Sequence, residues 1–325
     1  MSKKGTKRVL VTGATGQIGS ELTEALRERY GKENVVAVGH KRKPSEKLLA
    51  SGPFIYADVT DRESIRNAVK EHAVDAIYHL AAILSATGEE NPQLAWHINM
   101  DGLYNILEVA REFHLQVFWP SSIAVFGPEA PRIKTPQNTV LIPRTIYGVS
   151  KVAGELLCNY YFQRFGLDVR SVRYPGIISS ETPPGGGTTD YAVEIFYEAI
   201  RRKRYTCFVR KDTILPMMYM PDCINAAITL MEAEPERISC RTSYNVAAMS
   251  FSAGELAAEI KKYIPEFECD YKPDFRQKIA DSWPMTIDDS LARRDWGWNP
   301  KYDLASMTRD MIEKLSKKLT TNVAQ

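Results

Sequence analysis

Residues 8–19 read RVLVTGATGQIG, from Arg8 to Gly19. A short apolar run ends in turn residues, and Ile18, Leu22, Ala25 and Leu26 then recur at helical spacing. The stretch predicts a strand, a tight turn and a helix in immediate succession. Each glycine has a task there. Gly13 permits the turn, Gly16 lets backbone approach a pyrophosphate, and Gly19 allows close helix–strand packing. The helix start offers unpaired N–H groups and positive dipole charge to phosphates. A glycine triad alone is a weak signal, but between a strand and a helix it marks a dinucleotide cradle.

Outward from this turn, strands and helices alternate. Apolar runs at 34–39, 54–59, 75–82, 116–122 and 168–176 read as further strands. Helical patterns cover 61–72, 93–114 and 144–166. This alternation predicts an α/β protein with a doubly wound parallel sheet of Rossmann type. Beyond residue 176 the regularity breaks at SSETPPGGGTTDY (179–191), whose Pro, Gly, Ser and Thr content predicts a loop. A helix at 190–203, strands near 205–209 and 243–248, and a strand–helix unit at 213–233 are expected next. Ser252 and Glu255 form a capping-box pattern opening a helix to Ile264, and an amphipathic helix is expected at 303–318. We expect residues 1–176 to form the dinucleotide-binding domain, with 213–247 returning to it. Residues 177–212 and 248–325 would form a smaller substrate lobe over the carboxyl ends of the strands.

Composition narrows the function. With 325 residues, 44% hydrophobic and 25% charged, the chain can bury a full core. A net charge of +2 gives no reason to expect nucleic acid or an anionic membrane as partner. No apolar run is long enough to span a bilayer. The start, MSKKGTKR, lacks the apolar stretch of a secretion signal. Cys158, Cys207, Cys223, Cys240 and Cys269 contain no CxxC and read as reduced thiols. The five histidines form no i, i+4 pair, so no metal site is expected.

Tyr147 and Lys151 in IYGVSK stand one helical turn apart, on one face. An ammonium beside a phenol favours the phenolate. At ~4 Å and an effective dielectric of ~20 the gross attraction is about 4 kcal/mol, roughly a thousandfold in acidity. That would bring a phenol towards neutrality, where it serves as a general base.

The spacing GxxGxxG, together with YxxxK, the strand WPSSIAVFG (119–127) and the tail DSLARRDWGWNP (289–300), resembles the extended branch of the short-chain dehydrogenase/reductase superfamily over most of the chain. The resemblance implies Ser122, Tyr147 and Lys151 as catalytic residues. It places Thr15, Gln17, Ile18, Asp58, Val59, Leu80, Ala81, Ala82, Asn99 and Ile177 with the three glycines on the cofactor, Asp58 at the adenine and Asn99 in the active-site hydrogen-bond network. Tyr147 and Lys151 would also contact the cofactor. One departure stands out. NAD-dependent members usually end strand two in a carboxylate for the ribose hydroxyls, whereas this chain has Gly39-His40-Lys41-Arg42-Lys43. His40 and Lys41 are therefore expected at the ribose, where basic residues suit either a backbone-held NAD or a 2′-phosphate. The closer resemblance below favours NAD.

PSSIAVFGP (120–128), RYPGIIS (173–179), PPGGGTTDYAV (183–193) and PDFRQKIADSWP (273–284) look like the short-chain, metal-free type of L-threonine 3-dehydrogenase. That family oxidises L-threonine at C3 to 2-amino-3-oxobutyrate with NAD. The product loses CO₂ to give aminoacetone or is cleaved with CoA to glycine and acetyl-CoA. On this resemblance Tyr147 removes the C3 hydroxyl proton, Ser122 holds that oxygen, and Ser85, Thr188, Thr189 and Trp283 meet the substrate. Arg173 is placed either on the substrate carboxylate or facing away. The Gly185–Gly187 run is expected to close over substrate. Related enzymes pair through the helices matching 93–114 and 144–166, which implies a homodimer. The compartment implied is intracellular, mitochondrial in a eukaryote and otherwise cytoplasmic. A nucleotide-sugar epimerase or dehydratase retaining its NAD, and a non-catalytic NAD(P) sensor, are the other readings of the same motifs.

Overall fold

The computed structural model describes residues 7–183 and 185–321. Most of the basic start (residues 1–6), Pro184 of the glycine-rich loop and residues 322–325 lie outside the described residues.

The opening stretch folds as strand β1 (Val9–Thr12), a glycine turn and helix α1 (Gln17–Tyr30). The alternation continues with β2 (Val35–Gly39), α2 (Glu46–Ala50), β3 (Phe54–Tyr56), α3 (Arg62–Glu71) and β4 (Ala76–His79). Helices α4 (Ser85–Glu90), α5 (Pro92–Trp96) and α6 (Gly102–Phe113) follow, then β5 (Gln116–Phe118) and β6 (Ser121–Ser122). Next come α7 (Ile146–Phe165), β7 (Val169–Arg170), β8 (Val172–Tyr174) and β9 (Gly176–Ile178).

The main sheet is ordered β3-β2-β1-β4-β5-β7, all parallel, with Val9 opposite Val35 on one side and Ala76 on the other. Its inner strands β1, β2 and β4 are buried on both faces, while the edge strand β3 is partly exposed. Val9, Val11, Val35 and Ala37 pack against Leu22 and Leu26 of α1. Leu10, Val36 and Val38 point the other way, against Ile65 and Val69 of α3 and Ile106 and Leu107 of α6.

The later segments are α8 (Tyr191–Arg202), β10 (Arg204–Cys207), β11 (Ile214–Tyr219), α9 (Met220–Glu232), β12 (Tyr244–Asn245), β13 (Met249–Ser252) and α10 (Ala253–Lys261). They end with β14 (Glu268–Tyr271), α11 (Arg276–Asp281), α12 (Ser290–Trp296) and α13 (Leu304–Thr321). Cys223, Ala226 and Leu230 of α9 join the core that covers α1. Phe196, Leu256, Met307 and Met311 of α8, α10 and α13 build a third core, which also takes in Ile123–Phe126 just after β6. The expected capping box at Ser252 and Glu255 is formed in both directions.

Three elements differ from the sequence reading. The helix expected over 93–114 is interrupted by a π-helical turn at His97–Asp101. The fifth strand breaks between β5 and β6 at Trp119-Pro120, where Pro120 has no N–H for a ladder. The sixth breaks at Ser171, and β6, β8 and β12 form a separate three-stranded sheet. The sequence reading also lacks β14, which pairs in parallel with β10. Among the described residues no helix is long and apolar enough to cross a membrane, and no three His, Cys, Asp or Glu side chains gather as a metal-ion set.

Candidate active site

The site lies at the carboxyl ends of β1, β4 and β6, where a parallel sheet exposes helix amino ends and loops. Gly13 has φ +69, the left-handed region, and a Cβ there would sit 2.6 Å from Ala81 N. A Cβ at Gly19 would come within 2.1 Å of Gly13 O. Larger residues at either position would close the cradle. Helix α1 has Gly16 as its N-cap, no side-chain cap and no acidic residue in its first turn. Its amino end therefore keeps free N–H groups and an uncompensated positive dipole end. Gln17 Nε2 is buried without a partner at the same place. These groups fit the diphosphate of a dinucleotide.

A cleft runs from this turn to the catalytic candidates. Gly13, Gly16, Gln17, Ile18, Gly19, Leu80, Ala82 and Ile177 line its cofactor side. Ser122, Tyr147, Lys151, Ser85, Thr188, Thr189 and Trp283 line the remainder. The candidates come from separate elements: Ser122 ends β6, Tyr147 and Lys151 stand in α7, and Ser85 opens α4. Thr145 caps α7, its side chain accepting from Gly148 N, which sets where the Tyr147 turn begins. A second pocket, at the carboxyl ends of β2 and β3, is lined by Thr15, His40, Lys41, Asp58, Val59 and Ala81. Asn99 lines neither pocket. Its Oδ1 accepts from Ile83 N at 2.8 Å, and its Nδ2 donates to Ile83 O at 3.1 Å and to Ser150 Oγ at 3.3 Å. Ser150 Oγ in turn donates to Tyr147 O at 2.7 Å. Asn99 thus ties the turn after β4 to the Tyr147 backbone, from a π-helical turn that pushes its side chain inward.

The electrostatics reverse one expectation. Lys151 Nζ donates to Pro120 O at 2.6 Å and lies 4.4 Å from the Trp119 ring centroid, with the Tyr147 ring centroid 5.4 Å away. Burial pushes the Tyr147 phenol up to about 12, against a hydrogen bond from Ser122 that favours the phenolate. Burial also pushes the Lys151 ammonium down to about 7, opposed by Cys158 and Glu155. Without ligand, desolvation outweighs the attraction inferred from the i, i+4 spacing, and both groups are driven towards neutrality. Beneath them His79 is buried, with Nδ1 2.7 Å from Thr12 Oγ1 and Nε2 without a partner. Burial and then Lys151 push His79 down to about 3, so it is neutral.

The end of the cleft away from the glycine turn carries hydroxyls. Ser85 Oγ and Thr188 Oγ1 are buried 3.3 Å apart. The glycine run is held by Asp190, whose Oδ2 accepts from Gly185 N at 2.9 Å, Gly186 N at 2.8 Å and Gly187 N at 2.8 Å. Gly186 has φ +96, so the latch needs glycine there. Arg173 does not reach the cleft. It is buried, donating from Nε and Nη2 to Glu155 at 2.8 and 2.7 Å, and from Nη1 to Gln137 O and Asn245 Oδ1. Glu155 also accepts from Ser121 Oγ at 2.6 Å, next to Ser122.

A model of the NAD dependent epimerase/dehydratase family matches residues 9–247. The chain belongs to this family. It is similar to an uncharacterized epimerase/dehydratase of Staphylococcus haemolyticus, 52% identical over 96% of this chain and 98% of that protein. Among solved structures it is similar to L-threonine dehydrogenase from Clostridium difficile, with 51% identity, TM-score 0.94, and coverage of 96% and 98% of the two chains. It is also similar to a protein described as a monomeric L-threonine 3-dehydrogenase, with 48% identity, TM-score 0.92, and coverage of 95% and 99%. As a family member the chain is an NAD-dependent oxidoreductase of α/β, Rossmann type.

Several cleft residues of this family member escaped the sequence reading. Pro120, Ile123, Tyr174, Pro175, Gly176 and Asp190 also line it. The Tyr-Pro-Gly run at 174–176 was a readable turn signal. Glu155, one helical turn beyond Lys151, carried the same i, i+4 signal that revealed the Tyr147/Lys151 pair.

Proposed function

We propose that this chain oxidises L-threonine at C3 to 2-amino-3-oxobutyrate with NAD, in a metal-free reaction carried by Tyr147, Ser122 and Lys151. The observation that carries the reading is one cleft holding the glycine cradle, the phenol with its serine donor, and the buried Ser85/Thr188 hydroxyls. Similarity to threonine dehydrogenases over nearly the whole chain supports the choice of substrate. NAD held by the glycine cradle would supply the hydride acceptor and a positive charge in the cleft that would oppose the effect of burial on the phenol. Ser122 donates a hydrogen bond to the substrate oxygen and to the phenol in turn. Tyr147 Oη takes the C3 hydroxyl proton. Lys151 keeps the phenol's surroundings positive once its charge is restored. General-base catalysis of this kind supplies ~10²–10⁴-fold, with positioning providing much of the remainder.

Tyr147→Phe is expected to remove nearly all turnover while NADH still binds. NADH formation from L-threonine is the assay, with L-serine, L-allo-threonine and UDP-sugars as comparators. Turnover surviving in Tyr147→Phe overturns the assignment. Tightly retained NAD with no net NADH from L-threonine, but conversion of a UDP-sugar, would instead make the chain an epimerase.

We further propose that α5–α6 and α7 pair two copies of the chain. Val149, Leu156 and Tyr160 form an apolar stripe on the outer face of α7, with Leu156 61% exposed, and Tyr104 is exposed on α6. Leu156→Glu is expected to convert a dimer to a monomer in light scattering; a wild-type monomer at assay concentration rejects the pairing. The division into residues 1–176 with 213–247, and 177–212 with 248–325, is kept as a proposal; α8, α10 and α13 share a core of their own, but Ile123–Phe126 and Leu215 join it, and Trp296 and Trp298 pack with the core around α1. Five unpaired cysteines support a reducing, intracellular setting.

A further inference from the structure

We propose that the adenosine end of this site accepts a 2′-phosphorylated dinucleotide, NADP, as well as NAD. The proposal rests on the dinucleotide reading above. It goes beyond that reading by assigning a phosphate subsite to residues at the end of β2.

The neutral ribose diol of NAD is best held by an acceptor, commonly a carboxylate at the end of strand two. Here β2 ends at Gly39 and the chain continues as His40-Lys41-Arg42-Lys43. His40, Lys41 and Arg42 line the pocket that also contains Thr15 and Gly16 of the glycine turn. Arg42 and Lys43 also line the adjoining hollow, which shares Thr15 but is lined as well by Glu21, Glu24 and Glu181, so the anion subsite is assigned to the pocket lined by His40 and Lys41. The loop's cations therefore border the glycine turn on two sides.

The charges around the pocket favour an anion. Asp58 is its single lining carboxylate, and it is engaged from within. Its Oδ1 accepts from Thr60 N at 2.9 Å and Thr60 Oγ1 at 2.8 Å, and its Oδ2 lies 3.5 Å from His40 Nε2. Nearby Lys47 is held by Glu24 at 2.7 Å. Lys41, Arg42 and Lys43 are exposed and have no hydrogen-bond or ion-pair partner among the described residues. A phosphate dianion satisfies such groups through charge-assisted hydrogen bonds, and the planar guanidinium of Arg42 suits a phosphate with two oxygens. Because these side chains are exposed, the attraction must weaken with salt. A merely solvated loop would show no preference between a 2′-hydroxyl and a 2′-phosphate that depends on Arg42.

The test is fluorescence titration of the full chain with NADH and NADPH at ~50 mM and ~300 mM salt, repeated on Arg42→Ala and Lys43→Ala. We expect NADPH to bind within about tenfold of NADH at low salt. Arg42→Ala should weaken NADPH about tenfold more than NADH, the scale of one charge-assisted hydrogen bond, and high salt should weaken NADPH more than NADH. NADPH binding more than about tenfold weaker than NADH overturns the proposal, as does equal weakening of both ligands in Arg42→Ala. Binding of neither ligand overturns the dinucleotide reading itself. As a second probe, 2′,5′-ADP should bind more tightly than 5′-ADP to the wild type. Equal affinity for the two counts against the subsite.

Discussion

Replacing Lys151 by methionine is expected to stabilise the ligand-free protein while removing the proposed chemistry. The Lys151 side chain is buried at 4% exposure, and burial moves its ammonium from 10.5 down to about 7. At 1.36 kcal/mol per tenfold in proton affinity, that displacement corresponds to about 5 kcal/mol of unfavourable free energy in the charged form. Methionine keeps an unbranched stem in the same space. It forfeits the hydrogen bond to Pro120 O and the contact with Trp119, together about 2 kcal/mol. The net gain is then roughly 3 kcal/mol where Lys151 is protonated in both states. The sign follows from proton binding. Between about 7 and 10.5 the unfolded chain holds a proton on Lys151 that the folded chain has lost. Wild-type stability at this position therefore rises with pH through that window, and the penalty is complete below about 7 and absent above 10.5. Urea unfolding of both proteins without dinucleotide, at pH ~6 and pH ~9.5, is the measurement. At pH ~9.5 only about 1.4 kcal/mol of the penalty remains, less than the contacts forfeited, so the variant's advantage at pH ~6 should vanish there. A Lys151→Met protein less stable than wild type at pH ~6, or an advantage independent of pH, would refute the picture of a desolvated cation held in place for function.

Two more substitutions probe the supports of the cleft. Glu155→Gln leaves the Arg173 guanidinium buried without its counter-charge and should cost about 3–5 kcal/mol, read as a lower urea midpoint. Glu155→Gln/Arg173→Met should recover most of that loss, and a single variant costing under about 1 kcal/mol would show that the pair is not required for stability. Asp190→Ala removes the acceptor of three glycine N–H groups and frees the loop that carries Thr188. The KM for L-threonine should rise about tenfold with little change in NADH affinity, whereas a KM within about twofold of wild type would dismiss the latch.

Much of the architecture is legible along the chain because its causes are local. The apolar run, glycine turn and helical spacing of residues 9–26 all act within a few residues of one another, and they fold as β1, the cradle and α1. The capping box at Ser252 is likewise a four-residue event. The separate sheet of β6, β8 and β12 and the parallel pairing of β10 with β14 depend on distant segments, so periodicity alone misses them. Asn99 illustrates the boundary. Its presence is readable, but its work on Ile83 and Ser150 follows from a π-helical turn that the apolar pattern conceals.

Sequence alone determined which chemical groups exist and which neighbours share a helical face: the glycine triad, the Tyr147/Lys151 pair, and a basic loop where an acid usually ends strand two. Tertiary structure decided their states. Arg173 became the buried partner of Glu155 rather than a substrate contact, and Asp190 became the anchor of a glycine loop. Tyr147 and Lys151 lost their readiness to ionise because residues far along the chain fold over them and exclude water. Proximity within a helix is written in spacing, whereas the cost of burying a charge is set by everything that closes around it.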